Sequence, residues 1–303
     1  MTSKINRPNL SEHFLLLLLA AVWGSSFILM KIGLFGWHGS PSSVPVLNGV
    51  QLGFLRMGLA GLVFMPVAWK RIGSWDRKIW GALAVNGFIG SLIPAMLFAL
   101  AQTDLPSAMA GMLNALSPLW TLIIAVVFFG TRARKGQVAG LMLGFLGAVG
   151  LMSLKDGAGE VHWLAAGMLV VATACYGLSI NVVRNRLSDV RPMDISAVAL
   201  AMTALPSALG FVLCGGVSAL QTHPEGGHAF LAVGVLAVIG TAMALVLFNA
   251  LIQKTNVLFA SSVTYVIPLF ALLWGWLDGE FIGWSHAFFG AVVLSGVRLV
   301  AKG

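Results

Sequence analysis

Long apolar runs recur along the whole chain, and they constrain its fold more than any other feature. Each is about 20 residues long, enough for one α-helix to cross a hydrocarbon core of about 30 Å. Helices of a large soluble protein would carry polar faces, which these runs lack, and only 9% of the 303 residues are charged. The sequence therefore predicts ten transmembrane helices, at 13–34, Leu47–Trp69, Trp80–Ala101, Pro106–Phe129, Gly136–Leu154, His162–Val183, Met193–Cys214, Ala229–Ile252, Val257–Leu277 and Trp284–Ala301.

The distribution of positive charge predicts how these helices are oriented. Fifteen of the 18 Lys and Arg residues lie in the tails or in alternate links on one side, whereas the other side carries only Lys155. Cytoplasmic loops are enriched in Lys and Arg, so we expect both termini in the cytoplasm and a multi-pass protein of the cytoplasmic (inner) membrane. This placement of Lys and Arg explains the net charge of +8. We therefore expect the lipid bilayer, and no nucleic acid, as a partner.

The second half of the chain repeats the first at an offset of about 150 residues. Leu97-Phe98 recurs as Leu247-Phe248, and Pro118-Leu119 recurs as Pro268-Leu269. The first helix of each half shares a further small-residue set: Ala21, Gly24 and Ser26 in one, Ala174, Gly177 and Ser179 in the other. Internal repeats of this kind indicate that one structural unit is used twice.

An odd number of helices in each repeat decides the architecture. With five helices per copy, the second copy must cross the membrane in the opposite direction, and such inverted repeats are typical of alternating-access transporters with a site near the midplane. We therefore expect an all-α polytopic membrane protein of ten transmembrane helices. It would consist of a cytoplasmic tail (1–12), a first five-helix repeat (13–154) and a second, inverted one (155–303). A duplicated membrane scaffold without transport is the alternative.

The inventory of reactive residues argues against catalysis. All ten Asp and Glu residues lie in tails, links or helix ends, and the chain has no His-Glu-x-x-His helix and no paired carboxylates. Intramembrane metalloproteases and aspartyl proteases are thereby excluded, and the Gly-rich loop of nucleotide-binding proteins is absent. The cysteines, Cys175 and Cys214, lie in apolar segments. The sequence thus predicts no enzyme, no metal, no cofactor and no buried-carboxylate proton relay.

Two cations, Lys31 and Arg56, lie inside apolar segments. An unpaired cation within the membrane costs about 3 kcal/mol, so each should face the bundle interior or water. Lys31 either snorkels to the outer surface or attracts a substrate carboxylate. Arg56 either clamps backbone carbonyls at helix ends or binds the same carboxylate.

Polar groups and prolines cluster near the predicted midplane. Pro118 and Pro268 each remove one backbone hydrogen bond from a helix, and the freed carbonyls must be satisfied elsewhere or line a cavity. We take these two prolines as helix breaks with a gating role. A buried Asn is often interhelical glue, but five nearby side chains are candidates for substrate binding besides Lys31 and Arg56: Trp23, Asn114, Tyr176, Asn181 and Tyr265.

Several of these residues together resemble one transporter family. The set comprises Trp23-Gly24-Ser25-Ser26-Phe27, Lys31, Arg56, Pro118, Pro268, Gly279-Glu280, Gly290 and Gly296. In this it is similar to the EamA-type drug/metabolite transporters, whose aromatic-amino-acid exporters form one branch. The resemblance implies a ten-helix inverted-repeat fold and export of small metabolites. One departure is clear: the first repeat ends in Phe129-Gly130-Thr131, where the family pattern has Gly-Glu.

We therefore expect an exporter of small, largely apolar, carboxylate-bearing metabolites, with amino acids the leading class. A transporter of phosphorylated or nucleotide-linked sugars is the nearest alternative. It would need several cations converging on the cavity, and only two cations lie within apolar segments.

Overall fold

The computed structural model describes residues 10–37, 44–154, 162–255 and 263–302, and all regular structure within these ranges is helical. The long helices are α1 (Leu10–Phe35), α2 (Gly49–Trp69), α3 (Arg77–Ala101), α4 (Ser107–Phe129), α5 (Lys135–Met152), α6 (Trp163–Arg186), α7 (Pro192–Leu213), α8 (226–254), α9 (Val263–Leu277) and α10 (Trp284–Lys302). A short helix, Gly216–Thr222, lies between α7 and α8. Among the described residues, α1–α4 and α6–α8 are long and apolar enough to cross a membrane.

The observed helix ends agree with the sequence prediction to within about one turn, and the all-helical, multi-pass class is confirmed. Helix α1 begins at Leu10, slightly inside the predicted tail. The predicted start of the ninth helix, Val257, lies outside the described residues.

Local sequence explains where several helices begin. At the start of α2, the Asn48 side chain accepts a hydrogen bond from the Gln51 backbone N–H (2.9 Å), and the Gln51 side chain accepts one from the Asn48 N–H (3.0 Å). This reciprocal capping box satisfies two donors that a helix end otherwise leaves unpaired. Asp76 caps α3 by accepting from the Ile79 N–H, and Pro192 occupies the first position of α7, where its missing N–H costs nothing.

The helices pack across the two halves of the chain rather than only within them. Extensive contacts join α1 to α9, α4 to α6, α2 to α7 and α5 to α10, while α1 also packs on α8 and α6 on α3. Small residues permit this close approach, as is usual between membrane helices. A Cβ added to Gly24 would lie 2.4 Å from the Phe270 Cβ, and one added to Gly177 would lie 2.8 Å from the Trp120 carbonyl carbon and the Thr121 nitrogen.

Three helices are interrupted near their middle. Helices α3 and α8 contain π-helical segments, Val85–Leu92 and Val238–Met243, and α4 breaks between Asn114 and Ser117. The apolar pattern of the sequence predicts helices at these positions but does not indicate the π segments within them. The break in α4 precedes Pro118 as expected, whereas α9 continues through Pro268 without one.

Hydroxyl groups satisfy the carbonyls at these interruptions. Ser117 Oγ donates to the Asn114 carbonyl (2.8 Å), the group that Pro118 leaves without an N–H donor. In the π segments, Ser91 Oγ donates to the Asn86 carbonyl (3.2 Å) and Thr241 Oγ1 to the Leu236 carbonyl (3.0 Å). Both bonds reach the carbonyl five residues earlier, so α3 and α8 are built alike at this level. Such π segments frequently mark functional sites.

Candidate functional site

A cavity of about 170 Å³ lies where the interrupted helices meet. It is lined by residues of α1–α4 and α6–α9, and thus by both halves of the chain. One set of lining residues is aromatic: Trp23, Phe27, Phe98, Tyr176 and Phe248. Another set is polar and uncharged, and includes Asn86, Ser91, Asn114, Ser117, Ser179, Ser196, Thr241 and Asn249. The cavity is therefore amphipathic, which suits a small ligand with an apolar body and a polar head.

Arg56 supplies the charge of this cavity. Its side chain projects from α2 and is 9% exposed. The Nε–H donates to Thr241 Oγ1 (2.9 Å) in the π segment of α8, and Nη1 lies 3.7 Å from the Met30 sulfur. No carboxylate pairs with Arg56 anywhere in the described parts of the chain. A buried guanidinium with unused donors is a ready partner for an anionic group, because Arg presents a planar fork that matches a carboxylate.

The aromatic side chains of the lining pack against one another in two groups. Trp23 packs edge-on against Phe248, with ring centroids 4.9 Å apart, and Phe98 stacks on Tyr176 at 6.0 Å. Trp23 Nε1–H also donates to the Gly240 carbonyl (3.1 Å), within the π segment of α8. The indole is thereby held in place, and the packed rings give the cavity a pre-formed apolar surface.

Lys31 is directed away from this cavity and into an ion-pair cluster. Its ammonium forms a salt bridge with Asp278 and lies 3.6 Å from Glu280 Oε1. The Glu280 carboxylate also accepts hydrogen bonds from the backbone N–H groups of Ser107 (2.9 Å) and Ala108 (3.0 Å), at the start of α4. Lys31 thus neither snorkels nor lines the cavity: it joins α1, α4 and the end of α9.

Hydrogen bonds between uncharged groups also join the helices at this end of the bundle. Gln102, just after α3, donates from Nε2 to the Phe27 carbonyl (3.0 Å) and to Ser107 Oγ (3.2 Å). These bonds and the Lys31–Asp278–Glu280 cluster bring α1, α3, α4 and α9 together beyond the cavity. Val183 and Asn249 line the cavity from the C-terminal parts of α6 and α8. An ion pair between Arg71, just after α2, and Asp194 at the start of α7 (2.9 Å) connects these two helices.

Four of the sequence candidates meet around the cavity: Trp23, Arg56, Asn114 and Tyr176. Asn181 does not line it. Its side chain is buried between helices, where Nδ2 donates to the Thr121 and Gly177 carbonyls (2.9 Å each). Tyr265 lies in α9, and its side chain is outside the described part of the structure.

Sequence reasoning missed several of the polar lining residues, above all Ser91, Thr241 and Asn249. For the first two a signal was present, because Gly90-Ser91 recurs as Gly240-Thr241 at the offset of the repeat. A Cβ added to either glycine would meet a serine: Ser179 for Gly90 and Ser26 for Gly240. These two serines are also related by the repeat. Asn249 carries no comparable signal. Within the described ranges no three His, Cys, Asp or Glu side chains are close enough to hold a metal ion.

Comparison with known proteins agrees with this architecture. The chain is 26% identical to the "Uncharacterized inner membrane transporter YedA" of Escherichia coli over 93% of its own length and 88% of the relative. It is 23% identical to the "Probable terminal-alkyne amino-acid exporter" of Streptantibioticus cattleyicolor, over 95% and 92% of the two chains. A "Probable amino-acid metabolite efflux pump" of Salmonella typhimurium is 25% identical, over 67% of this chain and 62% of that protein.

A solved crystal structure has the same fold, with a TM-score of 0.62 and 19% identity over 96% of each chain. The sequence model of the EamA-like transporter family matches twice, at residues 10–153 and 163–302. These two matches cover nearly the whole chain, and they fall on the two halves whose helices form the cavity. The protein is a multi-pass membrane protein that belongs to the EamA-like transporter family.

Proposed function

We propose that this protein exports small carboxylate-bearing metabolites, amino acids among them, across the cytoplasmic membrane by alternating access. The observation that carries the proposal is Arg56: a buried cation without a carboxylate partner in the described structure, at an amphipathic cavity lined by both halves. An anion bound there would gain charge-assisted hydrogen bonds from the guanidinium. The names of two relatives point to amino-acid export and amino-acid metabolite efflux, and this supports the direction and the substrate class.

The substrate-binding residues that we propose are Trp23, Arg56, Asn114 and Tyr176. Arg56 holds the carboxylate, Asn114 offers an amide, and the two aromatic residues contact the apolar body. We assign Lys31 to the closure of one end and Asn181 to the joint between α4 and α6, because each is already bonded there.

The transport model requires two inverted repeats, 13–154 and 155–303, with ten membrane spans and cytoplasmic termini. The two matches to the family model support this arrangement. So does the exchange of partners between halves: α1 packs on α8 and α9 of the second half, and α6 packs on α3 and α4 of the first. Such exchanged contacts are what a two-fold relation between inverted repeats would produce.

The two ends of the cavity differ, and this asymmetry supports a resting state that faces the cytoplasm. Glu280 belongs to the Lys31 cluster, whereas the matching position in the first half is Gly130, which ends α4 in a left-handed conformation (φ 66°). Arg184 matches Lys31 at the offset that relates Gly24 to Gly177, and it is exposed at the end of α6. The described part of the first half therefore has no counterpart of the Lys31 cluster, which by the charge distribution lies at the outer end. Export would begin when substrate enters the cavity from the cytoplasmic end.

The charge of the cavity disfavours phosphorylated or nucleotide-linked sugars as substrates. Arg56 is the one Lys or Arg among the described lining residues, and a phosphate dianion would require further cations. An unpaired guanidinium is costly to bury. A scaffold without transport would gain nothing from a cavity that contains one, so Arg56 argues against that alternative.

The proposal is tested by flux from proteoliposomes that contain the purified protein. A panel of amino acids and related carboxylates is loaded inside, and efflux is compared for the wild type, Arg56→Gln and Arg186→Gln. The last is a matched control, because Arg186 is exposed at the end of α6. We expect saturable efflux of carboxylates that falls at least about tenfold in Arg56→Gln and is retained in Arg186→Gln. Absence of carboxylate flux, or full flux in Arg56→Gln, would refute the proposal.

A further inference from the structure

We infer that the cavity binds the carboxylate and apolar body of its substrate without binding the ammonium group, so that it prefers deaminated acids to the corresponding amino acids. The inference rests on the proposed function and narrows the substrate class of that function. The ligands of the cavity would be aryl or alkyl monocarboxylates, including 2-oxo and 2-hydroxy acids. The observation that carries it is the charge of the lining: one guanidinium and no Asp or Glu among the described residues.

None of the Asp and Glu residues that the structure describes lines the cavity. Asp278 and Glu280 pair with Lys31 beyond one end of the cavity. Asp194, near the other end, is buried against Arg71 at 2.9 Å. Of the ten Asp and Glu residues, only Asp156 and Glu160 lie outside the described ranges, in the link between α5 and α6. The carboxylates of the described residues therefore leave the ammonium of a bound amino acid without a counter-charge.

Charge balance then separates the two classes of ligand. A monocarboxylate neutralises Arg56, and the occupied cavity is uncharged. A zwitterionic amino acid brings a second positive charge into the same enclosed space, and the buried ammonium must lose its hydration without an ionic partner. Burying a charge that is not paired is strongly unfavourable. The ammonium group of an amino acid therefore lowers its affinity for the cavity.

The uncharged polar groups suit an oxo or hydroxyl substituent instead. The Asn249 side chain already donates a hydrogen bond from Nδ2 to Ser196 Oγ (2.8 Å). In contrast, no protein group within the described ranges hydrogen-bonds the Asn114 side chain, whose backbone carbonyl is already satisfied by Ser117. An amide can donate to a ketone oxygen and accept from a hydroxyl group. Asn114 can thus satisfy a neutral oxo or hydroxyl substituent of the ligand, but it carries no charge that would neutralise an ammonium.

Binding to the purified, detergent-solubilised protein tests this inference with three probes that share one skeleton. They are 3-phenylpropanoate, which lacks the ammonium, L-phenylalanine, which has both charges, and 2-phenylethylamine, which lacks the carboxylate. Isothermal titration should give the tightest binding for 3-phenylpropanoate, weaker binding by about tenfold or more for L-phenylalanine, and none for 2-phenylethylamine. Equal or tighter binding of L-phenylalanine would overturn the inference and leave the proposed function intact. Failure of both acids to bind to folded protein would refute the proposed function itself.

A gain-of-charge variant provides the second arm. Asn114→Asp places a carboxylate in the lining, and we expect it to shift the affinity ratio toward L-phenylalanine by about tenfold or more. Asn185→Asp adds the same charge at an exposed position of α6 and should leave the ratio unchanged. Size-exclusion chromatography establishes that each variant is folded. A ratio that stays the same in folded Asn114→Asp would show that the lining charge does not select the ligand, and would overturn the inference.

Discussion

Removal of the Glu280 charge should open the end of the cavity that the Lys31 cluster holds. The side chain is 6% exposed, accepts backbone hydrogen bonds of 2.9 and 3.0 Å, and faces the Lys31 ammonium at 3.6 Å. In Glu280→Gln the amide can accept one of the two backbone bonds, while its NH₂ group confronts the other N–H, and the attraction to Lys31 is lost. Hydrogen bonds to a charged group contribute about 1.5–3 kcal/mol each. A loss of about 2 kcal/mol would shift the equilibrium between closed and open by about thirtyfold.

The shift can be measured as the rate of cysteine alkylation. Ser26 lines the cavity and is 5% exposed, so Ser26→Cys in a background with Cys175 and Cys214 replaced by Ser reports access with little change in shape. A membrane-impermeant maleimide added to intact cells should react up to about thirtyfold faster when Glu280→Gln is present. Glu225→Gln is the matched control, because Glu225 contacts the Trp37 N–H and His228 outside the cluster. An unchanged rate in Glu280→Gln, or an equal rise in Glu225→Gln, would refute the reasoning.

Three further outcomes follow from the same account. Lys31→Met should lower efflux of an acid and of its amide by the same factor, since Lys31 binds Asp278 rather than substrate; selective loss of the acid would contradict this. Downhill efflux should continue in vesicles treated with an uncoupler, because no carboxylate lines the described cavity, and arrest on collapse of the proton gradient would contradict it. Cysteines placed in Gly215–His228 should be labelled from outside intact cells and those in Trp69–Trp80 should not; the reverse labelling would exclude the proposed topology.

Helix positions and part of the site could be predicted from the sequence because both depend on local patterns. An apolar run bounded by Gly, Pro and charged residues defines a membrane helix without knowledge of its neighbours. A cation such as Arg56 within such a run must face the interior. Trp23 and Tyr176 each directly precede the glycine that the repeat pairs, Gly24 and Gly177, and the structure places both aromatic residues at one cavity.

The rest depended on contacts between distant parts of the chain. Lys31 and Asp278 are separated by 247 residues, so the local sequence showed Lys31 as a cation in an apolar segment without its ionic partner. Asn181 directly follows the lining residues Ser179 and Ile180, yet its amide donates to the backbone of α4. The hydrogen bonds of a π segment span one residue more than those of an α-helix. The sequences of the two segments give no sign of this except the paired Gly90-Ser91 and Gly240-Thr241.

The central claim is that Arg56 binds the substrate carboxylate, and a thermodynamic cycle tests it most directly. Affinities of 3-phenylpropanoate and of its uncharged amide, 3-phenylpropanamide, are measured by titration for the wild type and for Arg56→Gln, with Lys31→Met as control. We expect the wild type and Lys31→Met to favour the acid by about ten- to hundredfold and Arg56→Gln to bind both compounds alike. An acid preference that survives intact in Arg56→Gln would contradict the claim.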